Sequence, residues 1–170
     1  RDTPQPFVKE FISDADPTDL RKSDFEIRGC ALGRGLPVVC DMCMGTALHA
    51  DGTPHPGACN VDGATIKRLT HNQRVTEYSD LATSPQIEYL VLACEDGGRW
   101  GPDQHRLLRS LVRTKVASIH PLLRRRAALA YTRRWWSILS IGVQTVAADC
   151  ILARDSPGPA PTTVLPLASV

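Results

Sequence analysis

The 170-residue chain is 42% hydrophobic and 22% charged with a formal net charge of +2, the balance of a globular domain with room for one sizeable core. No stretch nears the roughly 18 consecutive apolar residues of a helical membrane span, and six cysteines are too sparse for a secreted disulfide scaffold. The charge is lopsided: residues 1–96 carry a net −6 and residues 97–135 a net +9, an acidic part joined to a basic surface suited to a polyanion.

The chain opens RDTPQPFVKE, with no initiator Met and no apolar stretch behind a basic start, and reads as part of a longer polypeptide. PFVKEFI (6–12) is expected as a short strand or a helix end, and 13–23 as a polar loop. DFEIRGCAL (24–32) alternates like a strand, and the GRG turn (33–35) makes it an antiparallel hairpin with the apolar run 36–44. ADGTPHPGACN (50–60) is a loop by its Gly and Pro, and a helix capped by Asn60 or Asp62 is expected to run to about Ala82. IEYLVLACE (87–95) predicts a central strand covered on both faces.

After the turn DGGRWG (96–101), Pro102 and Asp103 open a helix with Leu107, Leu108, Leu111, Val112 and Val116 at helical spacing. A longer helix starts at Pro121 and continues to about Ala153, its second half apolar on most sides and expected to pack inward. Residues 154–170 contain four prolines and no periodicity, which predicts a disordered tail after a single domain over 1–153. The fold class is α/β or α+β, a mixed sheet of about four strands flanked by helices.

The chemistry centres on Asp41, a carboxylate inside an otherwise apolar strand. Such a group needs a charge, a metal or hydrogen bonds to be tolerated. Glu10, Asp24 and Asp41 stand on or beside successive expected strands, and clustered carboxylates favour a hard divalent cation, Mg²⁺ or Mn²⁺. That ion could activate water for attack on a phosphodiester. The plainer alternative leaves Glu10 and Asp24 at strand edges and Asp41 hydrogen-bonded in place. Cys40-x-x-Cys43 with His49, His55 and Cys59 also suggests a small zinc-stabilised interaction domain. Against it, residues three apart on a strand point to opposite faces. No P-loop, G-x-S-x-G or H-E-x-x-H motif is present. Trp135 and Trp136, beside Arg133 and Arg134, are expected to split between core and rim.

The segment EYLVLACEDGGRWGPDQHRLLRSLVRTKVASIHPLLRRRAALAYTRRWWSILSIGVQTVAA resembles the C-terminal end of non-LTR retrotransposon reverse-transcriptase polyproteins, with its GGRW turn, basic helix and RRWW pattern. Upstream, RKSDFEIRGCALGRGLPVVCDMCMGTALHADGTPHPG is similar to the restriction-endonuclease-like domain that some such elements carry after the polymerase. The resemblance spans about residues 7–153. It implies a metal-dependent DNA endonuclease that nicks target DNA for target-primed reverse transcription, in an intracellular, nuclear setting, beside a reverse-transcriptase domain. It places Glu10, Asp24 and Asp41 as metal and catalytic acids and Tyr78 as the helix tyrosine. Arg74 falls where the family has lysine, and Lys67 is the nearest substitute. Arg99, Arg106, Arg109, Arg113, Lys115, Arg124, Arg125, Arg126, Arg133 and Arg134 would grip DNA, with RNA as a further partner. The strand lysine and the proline of the RKSD position are absent here. An inactive DNA- or RNA-binding remnant of such an element is the alternative.

Overall fold

The computed structural model describes residues 5–12 and 17–155, and its centre is the apolar run that contains Asp41. Strand β2 (Val38–Gly45) pairs in parallel with β3 (Glu88–Glu95), from Val38 opposite Glu88 to Gly45 opposite Glu95. On its other side β2 meets the short strand β1 (Phe25–Ile27) antiparallel, Phe25 facing Cys40. The order is β1-β2-β3, a mixed sheet of three described strands where about four were expected.

PFVKEFI adopts the helical alternative. Val8–Phe11 form a 3₁₀ turn, and only Phe7 joins Lys22 in one antiparallel bridge. Val8 and Phe11 are three residues apart, the period of that helix, so both bury their side chains while Glu10 stays exposed. The expected strand 24–32 ends at Ile27 because Gly29 turns at φ +68° and a 3₁₀ turn over Ala31–Gly33 redirects the chain.

Period-two alternation sorts the strands into two apolar layers. Val39, Tyr89, Val91 and Ala93 pack with Val8, Phe11, Ile66 and Leu81 on one face. Val38, Cys40, Leu90 and Leu92 pack with Cys30 and Leu107 on the other. Cys43 belongs to the first layer and Cys40 to the second, so the CxxC pair is divided between the two faces of the sheet.

The helix expected over 60–82 is three pieces: α1 (Ala64–His71), a π-helical segment (Asn72–Glu77) and α2 (Ser79–Thr83). Gly63, at φ +68°, occupies the cap position in place of Asn60 or Asp62. β3 lies at the sheet's edge, not its centre, yet is buried on both faces. Side chains and the following turn replace the missing neighbour strand. Gly101 N–H donates to Ala93 O at 2.8 Å and Glu95 N–H to Arg99 O at 2.8 Å. Arg74 Nη2 donates to Tyr89 O at 3.4 Å, and the Asp103 carboxylate accepts Val91 N–H at 3.3 Å.

Helix α3 (Pro102–Ala117) begins at the expected proline, and α4 spans Pro121–Asp155. The second half of α4 does not pack inward as expected: Ile138, Ile141 and Val146 are at least half exposed, although Val143 is buried. The cause is length. Trp136 already meets His105 (4.7 Å) and Trp100 (6.0 Å) near the start of the 16-residue α3, and Ile138 and Leu139 line an open cleft with Phe25, Leu107 and Leu111, so little of α3 remains to cover the rest of the 35-residue α4. Trp135, which contacts Tyr131, is half-buried like Trp136, so neither ring of the pair is fully in the core. Residues 154–155 end α4, and the rest of the expected tail lies outside the described residues. No helix among the described residues is long and apolar enough to cross a membrane.

Candidate functional site

Continuing the β1–β2 register by one residue sets Asp24 opposite Asp41. Asp24 Oδ2 accepts the Met42 N–H at 2.6 Å, which fixes its carboxylate beside β2. Asp41 is only 7% exposed. It lies between Val39 and Cys43, on the face that carries the first apolar layer. Burial, then the charge of Asp24, then that of Glu77 push the Asp41 carboxyl up to about 7. Among the described residues no hydrogen bond reaches its carboxylate.

The layer above Asp41 is held in place by Arg21 and Lys22. Arg21 donates to the Glu77 carbonyl at 2.5 Å and forms ion pairs with Asp19 and Asp80. Tyr78 OH donates to Lys22 O at 3.1 Å. These ties connect the end of the π-helical segment to the residues just before β1. They leave the charges of Glu77, Asp24 and Asp41 acting together on Tyr78, whose phenol is raised mainly by burial and then by Asp41. The Tyr78 ring lies 5.9 Å from that of Tyr89. Tyr89 OH is buried without a hydrogen-bond partner, its phenol also raised by burial and by Asp41.

The structure therefore brings together Asp24, Asp41 and Tyr78 but not every expected residue. Glu10 is exposed on its 3₁₀ turn and is not among the charges acting on Asp41. Lys67 is exposed on α1 and is likewise absent from them. Arg74 pairs with Asp103 at 2.6 Å instead. Glu77 was missed by sequence reasoning, because on a regular helix it reads as one more solvated acid. Its adjacency to Tyr78 was the available signal.

Among the described residues no group of three or more His, Cys, Asp and Glu is spaced to share a metal ion. Two opposed carboxylates nevertheless suit Mg²⁺, which keeps several waters and uses one or two carboxylates. An Asp41 that is buried without cation or donor, beside an orphaned Tyr89 hydroxyl, fits a hydrated cation for the same reason.

The basic stretch divides in two. Arg99 pairs with Asp62 and Glu95, and Arg106 with Glu88 (2.8 Å) and Asp103 (3.2 Å). Arg124 donates to the carbonyls of Ile119 (2.8 Å) and Ala117 (3.0 Å), capping the end of α3. Among the described residues no carboxylate pairs with Arg109, Arg113, Lys115, Arg125, Arg126, Arg133 or Arg134, and all seven are exposed. Comparison with protein-family models, with curated proteins and with solved structures finds no match to this chain.

Proposed function

We propose that this chain is a divalent-metal-dependent DNA endonuclease domain of a non-LTR retrotransposon reverse-transcriptase protein, nicking target DNA to prime reverse transcription. The observation that supports it is the Asp24–Asp41 pair, two opposed carboxylates of which one is buried with no compensating positive charge. Asp24 and Asp41 would hold Mg²⁺ or Mn²⁺, with Glu77 the nearest further acid. A bound ion would polarise the phosphodiester and lower the pKa of its water. Without it, Asp41 is partly protonated near neutrality, which places its ligand form at neutral pH and above. Tyr78, tied to Lys22 O, and Arg21, tied to Glu77 O, position the acid-bearing layer over β2.

A second reading, a nucleic-acid-binding remnant without nuclease chemistry, is favoured by Arg74. The family's lysine position is occupied here by a side chain already paired with Asp103, and a guanidinium does not yield a proton near neutral pH. Plasmid nicking with and without Mg²⁺ or Mn²⁺ separates the two. Metal-dependent nicking by the parent chain, lost in Asp41→Asn and Asp24→Asn with DNA binding retained, supports the nuclease. Binding without nicking by the parent chain selects the remnant, and neither activity sinks both.

A further inference from the structure

The cleft between α3 and the 3₁₀ turn Ala31–Gly33 carries a second feature, on the other side of the sheet from Asp41. A polar cavity of about 320 Å³ is lined by Ala31, Leu32, Arg106, Arg109, Ser110 and Arg113. Its three guanidinium groups are not equivalent. Arg106 is held from behind by Glu88 and Asp103, so its charge is locally compensated. Arg109 uses only Nε internally, donating to His105 O at 3.1 Å, which leaves its terminal nitrogens for the cavity. Arg113 has no carboxylate partner among the described residues. Ser110 Oγ, between them in sequence, makes among the described residues only a weak contact, to Cys30 Sγ at 3.7 Å. Arg109 and Arg113 are thus like charges four apart on a helix, an arrangement that destabilises a helix unless an anion intervenes.

We infer that this cavity is a phosphate-binding site, in which Arg109 and Arg113 grip the oxyanion, Ser110 donates a hydroxyl and Arg106 forms a rigid wall. Guanidinium groups suit the site because their planar forks meet phosphate oxygens in pairs. α3 packs on the layer of Leu90, Leu92 and Leu107, whereas Asp41 serves the layer of Val39 and Val91. The phosphate held here is therefore a different one from any phosphodiester at the acid pair. Its source is either a nucleic-acid backbone, which rests on the proposed function, or a free phosphate, which does not.

Two-dimensional NMR of the full chain, titrated with inorganic phosphate and separately with a short DNA duplex, tests the site. The expected result is perturbation of the Ala31, Leu32, Ser110 and Arg113 amides. Affinity should fall about ten- to a hundredfold in Arg109→Gln/Arg113→Gln and less in Ser110→Ala, the loss expected of charge-assisted hydrogen bonds. Arg109→Lys/Arg113→Lys keeps the charge without the forks and should give an intermediate loss. Duplex perturbation that phosphate competes away identifies a backbone phosphate as the occupant. Perturbation by phosphate with none from duplex identifies a free phosphate, and either result upholds the site. Asp41→Asn should bind phosphate as the parent does, so failure of the nuclease reading leaves this result standing. The inference is overturned if neither probe perturbs these amides, if the double Gln variant binds undiminished, or if Asp41→Asn abolishes binding.

Discussion

At the residue scale Asp41 is the most consequential side chain, because its burial is not offset by any cation or hydrogen-bond donor among the described residues. Its carboxyl is raised to about 7 in the folded protein, against about 3.9 in an unfolded chain. The folded state therefore prefers the protonated form, so this contribution to stability is full below about pH 4. It is lost as pH rises through 7. Asp41→Asn keeps a neutral side chain of the same shape at every pH. Urea denaturation should show the variant level with the parent at pH 4 and more stable at pH 8, by on the order of 4 kcal/mol. Added Mg²⁺ should raise the melting temperature of the parent at pH 8 and leave Asp41→Asn unmoved. A variant less stable than the parent at pH 8 would show that the aspartate is favourably satisfied. The presence of an anomalous carboxylate was legible from the apolar residues around it. Its neighbour Glu77 was not, because a π-helical segment breaks the 3.6-residue spacing from which helix faces are read.

At the element scale, β3 shows how an edge strand can be as buried as a central one. Its residues are almost all apolar, and the sequence pattern rightly indicated cover on both faces. Strand order was not legible, because a turn and two side chains supply the hydrogen bonds that a neighbouring strand would make. Gly101 leaves room for this: an added Cβ would lie 3.2 Å from Ala93 O and 3.3 Å from Ile66, so a neighbour would have to give by a few tenths of an ångström. Besides pairing with Arg106, Asp103 has three roles at once. It sits in the first turn of α3, where a carboxylate favours the helix dipole, and it accepts the Val91 N–H and pairs with Arg74. Asp103→Ala would strand a buried N–H and the Arg74 guanidinium, costing about 2–3 kcal/mol. Asp103→Asn keeps an acceptor and should cost about half as much. Chemical denaturation of both, with a double-mutant cycle through Arg74→Met, checks the assignment. If the cycle shows no coupling between Arg74 and Asp103, the two act independently and the clamp is not a unit.

At the scale of the whole molecule, the charge asymmetry seen in composition resolves into two populations of basic groups. Arg99 and Arg106 neutralise carboxylates around β3, and Arg124 caps α3, so these three serve the fold. Composition could not separate them from the rest, because the partners, Glu88, Glu95 and Asp62, lie far off in sequence or belong to the acidic half. Seven exposed basic residues remain, from Arg109 to Arg134. Each that meets a phosphate releases counterions, contributing about −0.9 to the slope of log affinity against log salt on duplex DNA. The slope should therefore be no steeper than about −6. Arg125→Gln/Arg126→Gln should flatten it by about 2 and weaken all sequences alike, since backbone contacts carry no sequence information. Arg99→Gln should leave the slope unchanged while lowering thermal stability, because its guanidinium is already spent on Asp62 and Glu95. Fluorescence anisotropy with a short duplex across a salt series measures both. A slope that Arg99→Gln flattens and Arg125→Gln/Arg126→Gln does not would reverse the division, placing any phosphate-facing surface at the β3 end of the sheet instead of along the helices.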